Sequence, residues 1–216
     1  RTCPCLLEED QEKMKQICLH PLPLRIWHWL NALIVIVLIA TGLYMRLRGV
    51  ASLNPHDPVL LWHKLAGIAM MVATAFWLIY TISSEDLRRR LKIKKSDLKG
   101  AYPQARYYLF SMFKGEENPF QASAAEKYNP LQKMAYGAVM FVFIPVLTFT
   151  GLPFMDIPLL RDYFLSAKLV GPLGALHVLF AYLFVLYLIF HLYMATLGET
   201  FFSHTQAMIV GYEEQG

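Results

Sequence analysis

Four histidines stand inside long apolar stretches of this sequence, where a polar side chain is costly and needs a reason. They are His28, His63, His177 and His191. A neutral imidazole has one nitrogen lone pair, so it can ligate a metal, accept a proton or hydrogen bond to a neighbouring helix. A single histidine of this kind is most often structural. Four of them in one chain indicate a site with chemistry.

The spacing of His177 and His191 is the first constraint on that chemistry. They are 14 residues apart, just under four turns of a helix, so both project from nearly the same face. Their separation along the helix axis is about 21 Å, which would place one towards each side of a hydrocarbon core about 30 Å thick. His20, His56 and His204 lie outside the apolar stretches, and we interpret them as solvated or interfacial residues.

The elements that must position these histidines are four predicted membrane-spanning helices, at about 26–46, 60–82, 133–152 and 173–197. Apolar residues make up 56% of the 216-residue chain, and each stretch is long enough to cross a bilayer. Pro145 should kink the third helix. Thr-Gly-Leu occurs at 41–43 and again at 150–152, a weak hint of duplicated helix pairs. The fold class expected is all-α, an integral membrane four-helix bundle.

The distribution of basic residues predicts how the bundle is oriented. Eleven of the twenty Lys and Arg residues fall between positions 81 and 133, and basic loops favour the cytoplasmic side. With four spans, both termini are then cytoplasmic. The same distribution favours contact with anionic lipid and argues against nucleic acid as a partner.

The chain divides accordingly into three regions. A polar arm covers residues 1–24, the transmembrane domain covers 25–198 with a cytoplasmic loop at 83–128, and an amphipathic tail covers 199–216. Within the loop, the aromatic stretch 102–113 is expected to lie at the membrane interface.

Depth in the membrane then matches the histidines in pairs. Helix one enters from the inside and helices two and four enter from the outside. His28 and His191 therefore share the inner level, and His63 and His177 share the outer level. Two histidines at one depth on different helices are what a six-coordinate haem iron requires. The sequence predicts two haem b groups, an inner one and an outer one, with these four histidines as axial ligands of the iron.

Other roles for these side chains fit less well. A closed zinc site wants four ligands and each level offers two, while no chain of relay groups for protons is visible between the levels. Cys3, Cys5 and Cys18 are interpreted as free thiols, with a metal site that includes His20 as the less favoured alternative. Four basic residues near the span ends could pair with haem propionates or with lipid headgroups: Arg25, Arg46, Arg48 and Lys64.

Several motifs make the sequence resemble a known family of membrane cytochromes. The segment Arg25-Ile-Trp-His28-Trp29, the triplet Trp62-His63-Lys64 and the pair His177-x13-His191 are similar to the cytochrome b subunit (gamma subunit) of membrane-bound formate dehydrogenases. The family also includes b-type cytochromes of nickel–iron hydrogenases and thiosulfate reductases. The run Lys127-Tyr-Asn129-Pro-Leu-Gln132-Lys133 favours the formate dehydrogenase branch. The likeness covers about residues 24–212.

The resemblance implies a role in respiration. The chain looks like the membrane anchor of a larger oxidoreductase, whose partners would be an iron–sulfur subunit and a molybdenum, tungsten or nickel–iron catalytic subunit. Electrons would pass from the iron–sulfur partner to the outer haem, then to the inner haem, and then to menaquinone or ubiquinone near the cytoplasmic face. The opposite direction is equally open.

The resemblance also implies where quinone would bind. Asn129 and Gln132, with Lys133 and Trp27, match the family's region near the inner haem. Read from the residues alone, Asn129 could equally be a helix cap ahead of Pro130.

Two further functions remain alternatives for the whole chain. One is a stand-alone di-haem cytochrome b that passes electrons between quinone and superoxide, and the other is a haem-free anchor or transporter.

Overall fold

The computed structural model describes residues 17–18, 21–49, 56–85, 92–120, 128–155, 167–197 and 200–213. Seven α-helices and two short strands occur in these ranges: β1 (Ile17–Cys18), α1 (Leu22–Arg48), α2 (Pro58–Ser83), α3 (Lys95–Arg106), α4 (Pro130–Ala138), α5 (Ile144–Gly151), α6 (Ala167–Ala195), α7 (Ser203–Val210) and β2 (Tyr212–Glu213). Two π-helical segments, Tyr107–Ser111 and Val139–Phe143, and two 3₁₀ turns, Met112–Lys114 and Leu152–Phe154, continue these helices.

Four helical stretches are long and apolar enough to cross a membrane. They are Leu22–Arg48, Pro58–Ser83, Pro130–Phe154 and Leu169–Ala195, and each contains one of the predicted spans or nearly all of it. Their apolar side chains largely face outwards, and no residue in the most apolar window of the fourth stretch is buried inside the protein. A water-soluble protein rarely exposes apolar surface on that scale, whereas lipid covers it readily. The prediction of four membrane-spanning helices is confirmed in length and composition.

The helix ends follow from local sequence. Proline lies in the first turn of α1, where no intrahelical N–H is needed, and Gly49 closes the helix with a positive φ of 81°. Asn129 caps α4: its side chain accepts a hydrogen bond from the Gln132 N–H, and the Gln132 side chain accepts one from the Asn129 N–H. This reciprocal arrangement is a capping box, so the third span begins at a fixed residue.

The third span is irregular where the proline was expected to disturb it. Pro145 has no N–H to donate to the carbonyl of Phe141, one turn earlier. The π-helical segment Val139–Phe143 lies directly before the helix that holds Pro145, so the missing hydrogen bond is accommodated by a wider turn.

The fourth span begins earlier than its sequence suggested. Pro172 was expected to precede the helix, but α6 starts at Ala167 and contains this proline. A proline near a helix start gives up only one interior hydrogen bond, here to the carbonyl of residue 168, so the helix tolerates it. His177 and His191 therefore lie on one continuous helix.

The chain forms two compact units, and each is described by itself. The first comprises residues 1–73 with 150–216, and it holds all four intramembrane histidines. In it, β1 pairs antiparallel with β2, with Ile17 opposite Glu213. The all-α expectation misses this pair, because a two-residue strand leaves no periodic signal in a sequence. The Trp29 indole donates to the Met208 carbonyl at 3.3 Å, and the Arg25 guanidinium donates to the Ile209 carbonyl, which fastens α7 to the start of α1.

The second unit comprises residues 74–149, in which α3 packs against α4. An added Cβ on Gly100 would lie 2.9 Å from Pro130, so the two helices approach too closely for any other residue there. The stretch that begins with α3 turns polar residues such as Gln104 inwards and exposes large apolar ones such as Tyr102 and Phe113. That is the reverse of a water-soluble helix and agrees with the predicted place at a membrane interface.

Candidate functional site

The four intramembrane histidines meet in two pairs. The ring centres of His28 and His191 are 6.2 Å apart, and those of His63 and His177 are 6.4 Å apart. These are the same partners that the predicted depths had matched, and each pair joins α6 to a different helix. We keep the names inner pair for His28 with His191 and outer pair for His63 with His177.

The distance within each pair fits one metal ion between two imidazoles. An imidazole nitrogen bonds a metal at about 2 Å and lies about 1 Å from its own ring centre, so two axial imidazoles on one iron have ring centres about 6 Å apart. The two rings of each pair are inclined at 52° and 72°, so neither pair is stacked. Both inclinations are compatible with one metal ion per pair, because only one nitrogen of each ring must face it.

A threonine holds each ring of the outer pair. Thr41 Oγ1 lies 2.8 Å from His63 Nδ1, and Thr150 Oγ1 lies 3.0 Å from His177 Nδ1. Histidines that ligate metals usually hydrogen bond through their other nitrogen, which fixes the orientation of the ring and leaves Nε2 for the metal. Both contacts therefore suit histidines that serve as ligands through Nε2.

A glycine follows each of these threonines and lies against the same ring. An added Cβ on Gly42 would be 3.5 Å from His63 Cε1, and one on Gly151 would be 3.1 Å from His177 Cε1. The two Thr-Gly-Leu repeats therefore mark the contacts of two histidines with their neighbouring helices. The sequence showed the repeat, but only the structure shows what it touches.

The inner pair has a different setting. Trp29 stands edge-on to His28, with ring centres 5.3 Å apart, and Tyr187 stacks on His191 at 5.9 Å. His28 Nδ1 is buried and has no hydrogen-bond partner among the described residues. Within the part of the chain that the structure describes, His28 thus lacks the threonine contact that both rings of the outer pair have.

The donor set suits haem better than a metal held by protein alone. Within the part of the chain that the structure describes, no three residues of the types His, Cys, Asp and Glu cluster as a metal site would require. Each pair thus offers two nitrogens, and a porphyrin supplies the other four of a six-coordinate iron. The residues present fit haem, with His28 and His191 for one group and His63 and His177 for the other.

The residues predicted for quinone binding are all engaged in contacts of their own. In the first unit, Trp27 Nε1 donates to the Ala73 carbonyl at 2.7 Å and so ties α1 to α2. In the second unit, Asn129 accepts from the Gln132 N–H at 2.8 Å and donates to the Tyr108 hydroxyl at 3.1 Å. The capping role that the sequence left open for Asn129 is therefore present. Gln132 remains exposed beside it.

Lys133 forms a buried ion pair with Asp97. The ammonium and carboxylate are 3.2 Å apart, and the side chains of Lys133 and Asp97 are only 4% and 5% exposed. Burial opposes ionisation of Asp97, but the hydrogen bond from the Lys94 N–H and the nearby Lys133 outweigh it and hold its pKa below the ordinary value. Burial also raises the pKa of the Tyr108 phenol, so this group stays protonated at neutral pH.

The remaining predicted residues take no part in either pair. Arg25 hydrogen bonds to α7, Arg48 lies over the Tyr44 ring at 5.4 Å, and Arg46 is exposed. His56 and His204 are exposed as expected, and each has a contact of its own, as does Lys64. The positions of Cys3, Cys5 and His20, and the Cys18 side chain, fall outside the described residues, and so does most of the predicted arm 1–24.

Comparison with known proteins agrees with this geometry. Residues 19–211 match the family model described as "Prokaryotic cytochrome b561", which spans the two histidine pairs and all four candidate spans. A curated relative from Escherichia coli (strain K12), named "Putative cytochrome YdhU", is 31% identical over 199 residues, covering 92% of this chain and 75% of its own length. The resemblance to b-type cytochromes is confirmed at this level, and haem b is the group that it implies. This protein belongs to the prokaryotic cytochrome b561 family and is a membrane b-type cytochrome.

Proposed function

We propose that the chain is the membrane-anchoring di-haem cytochrome b subunit of a respiratory oxidoreductase. It would move electrons between an iron–sulfur partner and the membrane quinone pool. The observation that supports this most strongly is the presence of two histidine pairs with ring centres 6.2 and 6.4 Å apart. One pair alone would suit a single haem, whereas two pairs suit electron transfer from one level of the membrane to another.

The helix α6 sets the distance between the two levels. It supplies one histidine to each pair, and 14 residues of continuous helix separate them by about 21 Å. When bound, each haem supplies an iron that gains and loses one electron. The protein's part is to hold two imidazoles per iron in fixed orientation and to exclude water with the apolar faces of α1, α2 and α6.

The proposed orientation puts the inner pair and both termini on the cytoplasmic side of a bacterial inner membrane. The support comes from the concentration of basic residues in the segment between the second and third spans. The outward-facing Tyr102, Phe110 and Phe113 of that segment suit a helix that lies on the membrane surface.

Menaquinone or ubiquinone is the proposed electron acceptor or donor on the inner side. The polar groups proposed to bind it lie at the start of the third span: Asn129, Gln132 and Lys133. Trp27 could offer only the face of its ring, because its N–H already donates to the Ala73 carbonyl. Asn129→Asp tests this assignment, because aspartate still caps α4 but has no amide to donate to a quinone carbonyl. We expect slower quinone reduction with unchanged haem spectra. Unchanged quinone reduction would remove Asn129 from the proposed site.

The proposed partners are an iron–sulfur subunit and a molybdenum, tungsten or nickel–iron catalytic subunit. The formate dehydrogenase-like motif Lys127–Lys133 supports a complex of the formate dehydrogenase type. Gentle detergent purification from the native membrane tests this: the cytochrome should co-purify with an iron–sulfur protein. A chain that passes electrons between quinone and superoxide without any such partner would instead be a stand-alone oxidoreductase.

The test of the di-haem assignment is spectroscopic. The purified chain should show a b-type band in its reduced-minus-oxidised spectrum, with two haems per chain. Replacing any one of His28, His63, His177 or His191 by alanine should remove one haem. The double variant of the inner pair, His28→Ala with His191→Ala, should lose no more haem than either single variant.

The exposed histidines provide matched controls for these substitutions. His56→Ala and His204→Ala remove an imidazole outside both pairs, so both haems should remain. If His28→Ala and His63→Ala abolish the same spectral component, the proposed pairing is wrong. If the wild-type chain binds no haem, the function proposed here is wrong as a whole.

A further inference from the structure

The two histidine pairs differ in what their Nδ1 atoms contact. In the outer pair, both rings meet a threonine hydroxyl through Nδ1, at 2.8 Å for His63 and 3.0 Å for His177. In the inner pair, His28 Nδ1 is buried without a hydrogen-bond partner among the described residues. His191 rests against the face of Tyr187, an apolar contact. Both imidazoles of the outer pair thus have a hydroxyl at Nδ1, whereas His28 has none in the described part of the chain.

The direction of the hydrogen bond at His63 follows from the contacts of Thr41. Its hydroxyl oxygen lies 2.6 Å from the Val37 carbonyl, which can only accept. The single hydroxyl proton is therefore given to that carbonyl, and the oxygen accepts the proton on His63 Nδ1. His63 is thereby fixed as the tautomer whose Nε2 lone pair is free to bind iron.

A hydrogen bond donated by Nδ1–H changes the electronic character of the ring. It moves electron density towards Nε2 and makes the imidazole a stronger donor to the metal, which favours the ferric over the ferrous state. The chain Nδ1–H to Thr41 Oγ1 and on to the Val37 carbonyl strengthens this effect, because linked hydrogen bonds polarise one another. If His177 binds iron through Nε2, its Nδ1 carries the proton and donates to Thr150 in the same way. A pair of ligands with two such bonds has a lower reduction potential than a pair with fewer.

We propose that Thr41 and Thr150 are positioning residues that set the outer site at a lower reduction potential than the inner site. Electron transfer from the outer pair to the inner pair is then downhill, which favours quinone reduction over quinol oxidation in this chain. The proposal rests on the two haem sites of the proposed function and adds the order of their potentials.

The experiment is a redox titration of the purified holoprotein, followed by absorbance at the b-type band. Wild type should show two components, and the His63→Ala variant should identify the lower one as the outer site by removing it. Thr41→Val and Thr150→Val keep the shape of the side chain and remove the hydroxyl. Each should shift the ferric–ferrous equilibrium of the outer site three- to tenfold towards the ferrous state. At 59 mV per tenfold, this raises the lower reduction potential by about 28 to 59 mV. The upper component should not move.

Two controls separate tuning from general damage. Thr196→Val removes a hydroxyl that donates to the Tyr193 carbonyl and contacts neither pair, so neither potential should move. Thr41→Ser retains the hydroxyl and should keep the wild-type potential, including in the case where Thr41→Val loses the outer haem. A serine variant that fails to restore the outer component would overturn the proposal.

The outcomes distinguish this proposal from the function on which it rests. Two haems whose potentials do not respond to Thr41→Val and Thr150→Val, or a response of the upper component, overturn the tuning role and leave the di-haem assignment intact. Assignment of the lower potential to the inner site also overturns it. Absence of two b-type components in wild type overturns both.

Discussion

Two glycines with the same sequence context should respond differently to alanine. Gly42 and Gly151 both follow a threonine and precede a leucine, and both lie against an outer-pair imidazole. The Cβ of alanine at position 42 would lie 3.5 Å from His63 Cε1, an ordinary contact distance, but at position 151 it would lie 3.1 Å from His177 Cε1. Each substitution therefore adds one methyl group beside an imidazole of the outer pair, and the two substitutions differ in how close that methyl group lies to the ring.

The expected magnitudes have opposite signs. Alanine in a helix is favoured over glycine by about 0.5–1 kcal/mol, and Gly151 has helical φ and ψ of −83° and −35° that alanine can adopt. At position 42 no close contact opposes this gain in helix stability, because the added Cβ would lie at an ordinary contact distance. At position 151 the methyl group displaces a ring that Thr150 and a bound iron both hold, and overpacking of this kind costs about 1–3 kcal/mol. Gly42→Ala should thus be neutral or stabilising, and Gly151→Ala should lose about 0.5–2 kcal/mol.

Haem retention in detergent measures this difference directly. A loss of 0.5–2 kcal/mol corresponds to about 2- to 30-fold weaker binding at the outer site. The outer b-type component should therefore dissociate first from Gly151→Ala on heating or dilution, while Gly42→Ala retains it as wild type does. Equal losses in both variants, or a greater loss from Gly42→Ala, would refute the reasoning from ring contacts.

Two predictions concern the second unit. Asp97→Asn should leave the Lys133 ammonium buried without its counter-charge and cost about 3–5 kcal/mol, measurable by thermal unfolding, with partial recovery in Asp97→Asn/Lys133→Met. The pKa of Asp97 in the folded protein lies below its ordinary value of about 3.9, so the ionised carboxylate contributes its full stabilisation of the fold above that pH. This contribution is lost as the pH falls further. The double variant has no such carboxylate and should lose less stability than wild type on acidification below about pH 4. Asn129→Ala and Asn129→Asp both lose the amide that donates to Tyr108, but only Asn129→Ala also uncaps α4. Asn129→Ala should therefore be the less stable by about 1 kcal/mol, and equal melting of the two variants would contradict a capping role.

The spans and the histidine partners could be predicted because both follow from one-dimensional rules. A span is a length of apolar sequence, and the depth of His28 or His191 follows from its distance to the span end and the direction of entry. The structure brings together the same pairs of histidines that the predicted depths had matched. It also places Pro145 beside an irregular turn, as the loss of one N–H requires.

What the sequence did not reveal depends on contacts between separate segments. Asp97 and Lys133 are 36 residues apart, and the sequence around each of them does not indicate a buried ion pair. The contact of Tyr108 with Asn129 is of the same kind. Thr41 and Thr150 left a signal, the repeated Thr-Gly-Leu, but a threonine in an apolar helix usually bonds its own backbone, so only the position of the neighbouring ring gives it a second role.

The repeat allows the first two spans to be compared with the last two, position by position. In this comparison Thr41 corresponds to Thr150, and His63 corresponds to His177. The position that corresponds to His191 is then Trp77 on α2, which lies 14 residues after His63. The position that corresponds to His28 is Gly137. Trp77 is only 2% exposed and packs edge-on to Tyr136, next to Gly137, at 5.7 Å. Where a strict duplication would have placed a further pair of ligands, the chain has an indole packed edge-on against a phenol. Both sites thus take one histidine from each half of the chain, but only the outer site also has a threonine from each copy of the repeat, whereas His28 has no such neighbour among the described residues. This difference is the structural basis for expecting two haems of unequal potential.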